Sequence, residues 1–363
     1  MSEHVYVRKS RKGLYVVIAL VLAALVAGLF LLSRGGKDST PGASAGPAGG
    51  NGATINLVAY STPQTAYQAI EKSFQATHAG RGVTFKESYG PSGDQSRAVE
   101  GGQKADVVNF SLESDVTRLV DAKLVAPNWQ KATGNDGIVA DSVVVLVVRK
   151  GNPKHIKGWD DLVKPGVGIV TPNPASSGGA RWNTLAAYGH VIANGGSEAD
   201  ARAYLAQYFK HAVALPGSAR DALTSFTGGN GDVLVSYEDE AILARQKGED
   251  VDYIVPDQTL LIETPAATTV GAPSQAKDFV KFLFSDEAQT AFRESGFRPV
   301  VKGITGDVKG ANDPSDPFPT PKTLLTISKD FGGWDKAKTK FFDEKTGIVT
   351  KIQIATGTQG DSQ

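Results

Sequence analysis

Four segments set a small hydroxyl residue beside glycine or proline at points where an apolar run gives way to an amphipathic one. They are Tyr60-Ser61-Thr62-Pro63, Tyr89-Gly90-Pro91-Ser92-Gly93, Ser176-Ser177-Gly178-Gly179-Ala180 and Gly217-Ser218-Ala219-Arg220. Each reads as the end of a strand, a short turn and the start of a helix. The first N–H groups of a helix have no partner within it, and that end of the helix dipole is positive. Glycine lets a ligand approach the main chain closely. Turns of this kind can grip an anion with neutral donors alone. Each also has an ordinary reading, because Ser and Thr are preferred N-caps and Pro63 suits a first helical turn. Local composition does not say whether the four ends converge, so both readings stand at this level.

Other chemistries find little support. The chain has no cysteine, which removes disulfides, thiolate catalysis, Cys-type zinc sites and lipid attachment at a cysteine. No strand-to-helix G-x-S-x-G turn occurs in the globular part, and no H-E-x-x-H or G-x-x-x-x-G-K-[ST] run occurs anywhere, so hydrolase, zinc-protease and ATPase chemistry lack their usual residues. His4, His78, His155, His190 and His211 are scattered. The acidic run Glu238-Asp239-Glu240 sits at a helix start, where the dipole explains it better than a cage of convergent oxygens does. Neither a metal nor a cofactor is expected. Arg181 and Arg220 directly follow donor turns and are expected to pair with carboxylates and orient the loops. Trp129, Trp159, Trp182 and Trp334 are expected to be packing anchors. Lys plus Arg (38) balance Asp plus Glu (38), which argues against a nucleic-acid partner but not against a small anion held in a locally cationic site.

The elements that must position the four turns follow from periodicity. Strands are expected at 55–60, 83–88, 105–110, 142–149, 167–171, 213–215 and 232–237, with helices at 63–76, from Asp94, and over 276–294. Strand–helix alternation predicts an α/β architecture with mainly parallel sheets. With 40% apolar residues and about 300 residues in the globular part, two lobes are favoured over one sheet. Residues 142–149 and 259–270 are two extended runs.

Ahead of this part, Leu14 to Leu32 form an uncharged apolar run of 19 residues. At about 1.5 Å per residue it nearly matches a hydrocarbon core of about 30 Å. Arg8, Lys9, Arg11 and Lys12 precede it, and Arg34 and Lys37 follow, which places the N-terminus inside and the rest outside. A cleaved signal peptide is the competing reading, but its apolar stretch is usually about 7–15 residues. Residues 33–53 are a flexible Gly/Ala/Ser/Pro linker. The expected organisation is 1–13 cytoplasmic, 14–32 transmembrane anchor or uncleaved signal, 33–53 linker, 54–145 first lobe, 146–262 second lobe, and 263–363 completion of the first lobe plus a C-terminal segment.

The run RKGNPKHIKGWDDLVKPGVGIVTPNPASSGGARW from Arg149 to Trp182 is long and specific. Together with 89–109, 217–241 and 331–337, it closely resembles the periplasmic sulfate/thiosulfate-binding proteins of ABC importers, over essentially all of 54–345. The resemblance implies the two-lobe periplasmic-binding-protein fold (type II), closing on a dehydrated sulfate held by hydrogen bonds without a touching countercharge. It is this resemblance that makes the extended runs 142–149 and 259–270 candidate hinge strands. It implies a monomeric, extracytoplasmic binding protein that delivers its anion to a membrane permease, and not an enzyme. Carried over by position, Ser177 is a hydroxyl donor, Gly178, Gly179 and Ala219 are backbone donors, and Ser92 is a serine donor in the opposite lobe. Ser61 stands where the family usually has Asp, which keeps the backbone donor. Tyr237 stands where Trp is common, Pro91 replaces a Gly and Asp94 replaces a Lys. Sulfate needs only donors at neutral pH, whereas hydrogen phosphate must also donate. Thiosulfate, another tetrahedral oxyanion such as molybdate or phosphate, and more remotely a serine-dependent hydrolase remain the alternatives.

Overall fold

The computed structural model describes residues 52–359. The expected anchor at 14–32 and most of the linker at 33–53 lie outside the described residues, and among those described no helix is long and apolar enough to cross a membrane.

The described residues open with strand β1 (Thr54–Tyr60), helix α1 (Gln64–Ala76), β2 (Thr84–Gly90), α2 (Ser92–Glu100), β3 (Val107–Asn109) and α3 (Glu113–Asp121). β1 pairs in parallel with both β2 and β3. Ile55, Leu57 and Ala59 of β1 join a core with Tyr67, Phe74, Phe279 and Phe292, while Val58 joins Val108, Phe110, Val116 and Leu119 on the other face. That alternation is the two-residue period of a strand covered on both sides.

β4 (Ile138–Arg149) leads to β5 (Ile169–Val170), α4 (Gly178–Ala193), α5 (Glu198–Lys210), β6 (Ala212–Ala214), α6 (Ala219–Thr227), β7 (Val233–Tyr237), α7 (Glu238–Gln246), β8 (Val251–Ile254) and β9 (Gln258–Thr268). The apolar run in β4 is continuous because both faces are covered. Val144, Leu146 and Val148 enter one core with Trp159, Trp182 and Phe209, and Val143, Val145 and Val147 enter another with Phe226 and Ile242. Two lobes result, each with a core on both faces of its sheet.

β4 and β9 are the long strands that run between the lobes. Up to Val143, β4 pairs antiparallel with β9; from Val144 it pairs with β7. β9 in turn reaches β3 through Ala266–Thr268. Parallel pairing therefore dominates the outer strands, while the two connecting strands are antiparallel, a mixture that alternation alone does not reveal.

The chain ends with α8 (Ser274–Phe282), α9 (Asp286–Glu294), β10 (Thr323–Leu325), α10 (Ile327–Asp330), α11 (Trp334–Phe342) and α12 (Ile348–Thr356). The single amphipathic helix expected over 276–294 is two helices. The hydroxyl of Ser285 accepts from the Ala288 N–H at 3.2 Å and caps the second one, so a local capping preference interrupts a continuous apolar stripe. Trp334, Phe341 and Ile348 lie in the second lobe's core, with the Trp334 ring edge-on to Trp182 at 4.7 Å between centroids.

Candidate anion-binding site

The four turns arrive at one place. A single small cavity is lined by Tyr60 and Ser61 from the end of β1, Pro91 and Ser92 from the start of α2, and Ser111 from the loop after β3. From the other lobe come Ser177, Gly178 and Gly179 at the start of α4, Ser218 and Ala219 at the start of α6, and Tyr237 at the end of β7. All seven residues singled out in the sequence (Ser61, Ser92, Ser177, Gly178, Gly179, Ala219 and Tyr237) are among them, and no lining residue carries a formal charge.

The cavity is small, about 10 Å³, a size that suits a compact ion.

The donors come from helix ends. Gly178 and Gly179 are the first two residues of α4, and Ala219 is the first of α6, so their N–H groups have no partner within the helix. Two donors further along are already taken: Ala180 N–H by the Ser177 hydroxyl at 3.4 Å, and Asp221 N–H by the Ser218 hydroxyl at 3.1 Å. Accepting from Ala180 leaves the Ser177 O–H proton for another acceptor. The Ser218 proton instead goes to the Asp221 carboxylate at 2.7 Å.

Ser92 differs from its expected role. Its hydroxyl donates to Asp115 Oδ2 at 2.6 Å and accepts from the Ser111 N–H at 3.0 Å. The proton points away from the cavity because Asp115, 23 residues later, is a buried carboxylate in need of a donor. What Ser92 offers the cavity is the N–H of the first residue of α2. The charge of Asp94 is met by Arg97 on the exposed side of α2.

Tyr237 places its hydroxyl 2.6 Å from the Ser111 hydroxyl. Ser111 was not singled out in the sequence. Its signal was present, a serine just past a strand and just before a helix, but it lacks the neighbouring glycine or proline that drew attention to the other turns. Burial holds the Tyr237 phenol well above its ordinary range, so it stays protonated.

The arginines behave differently from one another. Arg220 forms a bidentate pair with the buried Glu240, at 2.7 and 2.9 Å, and donates to the Thr62 carbonyl in the other lobe at 3.1 Å. Burial works against its charge, but the Glu240 contact outweighs this and holds the guanidinium above its ordinary value. Arg181 instead donates to the Pro174 carbonyl at 3.0 Å and lies over the Phe342 ring. The acidic run at the start of α7 is buried: Glu238 pairs with Arg298 at 2.7 Å, and burial pushes Asp239 up.

Several contacts cross between the lobes beside the cavity. Gly93 N–H donates to the Ser176 carbonyl at 3.1 Å. Trp182 Nε1–H donates to the Ser111 carbonyl at 3.0 Å. A Cβ on Gly178 would lie 2.4 Å from Ser111 Oγ, so glycine there permits the approach.

Comparison with known proteins adds the following. A family model described as "Bacterial extracellular solute-binding protein" matches residues 55–298. A sulfate-binding protein of Synechococcus elongatus is 42% identical over 331 residues, covering 88% of this chain and 91% of the relative. A thiosulfate-binding protein of Pseudomonas aeruginosa is 34% identical over 300 residues, covering 79% and 88%. The solved sulfate-binding protein SubI of Mycobacterium tuberculosis superposes with a TM-score of 0.75 at 41% identity, covering 80% of this chain and all of that one.

Proposed function

This chain belongs to the bacterial extracellular solute-binding protein family, and from that premise we propose that it captures sulfate or thiosulfate for an ABC importer. The anion lies between the two lobes and passes to the importer's membrane permease. The supporting observation is a cavity the size of a small ion, lined by the starts of α2, α4 and α6 and the ends of β1 and β7, and lacking a formally charged wall. A proton-free dianion is satisfied by such donors. A protonated oxyanion brings a donor of its own, and leaving it unpaired in a buried site costs affinity.

The proposed ligands are the N–H groups of Ser61, Ser92, Gly178, Gly179 and Ala219, the hydroxyl of Ser177, and Tyr237. They come from both lobes, so full coordination requires closure. The proposed division puts residues 54–145 in the first lobe and 146–262 in the second, with the chain from 263 returning to the first. The packing of Trp334 and Phe341 refines it by carrying the C-terminal segment back to the second lobe. The proposed role is binding, as the names of the similar sulfate-binding and thiosulfate-binding proteins suggest.

The working location is the outer face of the membrane, with residues 14–32 as the proposed anchor. The linker behind it would span roughly 25 Å as a flexible coil, enough to search for a permease nearby. The protein acts as a monomer in this scheme.

Calorimetry against sulfate, thiosulfate, molybdate and phosphate tests the reading. Sulfate or thiosulfate should bind most tightly. Tight phosphate binding with no response to either sulfur anion would overturn it.

A further inference from the structure

We propose that Ser111 and Tyr237 act together as one hydrogen-bond donor to the anion, shared between the lobes. This rests on the anion-capture reading above.

The two hydroxyls come from opposite lobes, lie 2.6 Å apart, are buried, and both line the cavity. Each carries one proton and can accept as well as donate. Their mutual bond uses one of the two protons. If Tyr237 donates to Ser111, the serine proton is left over; if Ser111 donates to Tyr237, the phenol proton is. Either arrangement leaves one O–H for the anion, and the pair can switch between them.

The surroundings hold the pair in place. Trp182 Nε1–H reaches the Ser111 carbonyl at 3.0 Å and its hydroxyl oxygen at 3.1 Å. The Ser111 N–H is bonded to Ser92 Oγ at 3.0 Å. Glycine at 178 leaves the space that the Ser111 side chain occupies. The Tyr237 ring packs beside Tyr60, with centroids 6.4 Å apart. An indole at 237 would be a fixed donor from one lobe only. The hydroxyl pair can present its spare O–H from either lobe.

The proton count makes an unusual prediction. In Ser111→Ala the tyrosine proton is no longer shared and passes to the anion. In Tyr237→Phe the serine proton does the same. Each single variant keeps one donor, and only the double variant loses it. Sulfate calorimetry on the wild type, both singles and the double tests this, with melting of each unliganded variant as a check on folding. Each single should weaken binding about twofold, and the double at least about tenfold beyond the product of the two losses, as expected for removing a bond to a charged group.

Losses that simply multiply, to within about threefold, would mean separate packing roles and overturn the inference. Should the double variant not fold, Ser111→Cys combined with Tyr237→Phe is read the same way, because a thiol is a weak donor that fills the space. A wild type that binds neither sulfate nor thiosulfate brings down the functional reading and this inference with it. A wild type that binds, beside a double variant that binds equally well, brings down only the inference.

Discussion

Replacing Gly178 with alanine separates lobe closure from donor chemistry. The substitution keeps the backbone N–H at the start of α4 and adds one methyl. That methyl would lie 2.4 Å from Ser111 Oγ, 2.6 Å from Ser111 Cβ and 3.1 Å from Leu112 Cγ. Ordinary carbon contacts are about 3.5–4.0 Å, so the shortfall against the Ser111 Cβ is about 1 Å. Ser111 cannot easily yield, since Ser92, Trp182 and Tyr237 all hold it. Relief comes from parting the lobes by about 1 Å, which stretches hydrogen bonds beyond their useful range of about 2.7–3.2 Å. An anion kept by α4 and α6 would then lose the N–H groups of Ser61 and Ser92. Two bonds to a charged group are worth about 1.5–3 kcal/mol each. The expected loss is about 3–6 kcal/mol, or more than a hundredfold in Kd. Calorimetry with sulfate measures it. Unliganded melting should stay near wild type, because alanine suits a helix at least as well as glycine. Sulfate affinity within about threefold of wild type, less than 1 kcal/mol, would refute the claim that the lobes bind the anion in this closed arrangement.

Three further outcomes follow from the same contacts. Ser177→Ala removes the hydroxyl donor at the start of α4 and should weaken sulfate binding about ten- to hundredfold in calorimetry. Arg220→Ala leaves the buried Glu240 carboxylate unpaired and should lower unfolding stability by roughly 3 kcal/mol in urea titrations; Arg220→Lys should recover little of it, because the pair is bidentate. Asp141 is pushed up to about 7 from 3.8, chiefly by burial and then by the Glu263 carboxylate, against the pull of Arg298. The folded chain therefore holds a proton that the unfolded chain releases near 3.8, and stability falls as pH rises through that window. Asp141→Asn should remove this slope, worth about 1.4 kcal/mol for each pH unit, when urea stability is compared at pH 5 and pH 8.

Much of the binding geometry was legible because capping is local. A serine before a glycine or alanine at a helix start is visible within four or five residues, and the N–H groups it leaves free follow from helix geometry alone. The strands were legible for the same reason, as runs of β-branched residues in β4 and β7. Helix 276–294 was misread because its apolar stripe continues across Ser285, and only the cap shows that the chain turns there. Ser111 escaped notice because its turn has no glycine or proline, and its importance lies in what it meets.

What the amino-acid order determined unaided is the supply of donors: which turns start helices, which side chains carry hydroxyls, and the absence of charge within those turns. Tertiary structure alone decided where the protons go. Asp115 draws the Ser92 proton from 23 residues away, Glu240 draws Arg220 from 20 residues away, and Ser111 meets Tyr237 across 126. Helix caps are satisfied by near neighbours in sequence. A buried hydroxyl or carboxylate takes whichever partner the packing within a lobe, or the meeting of the two lobes, brings within reach.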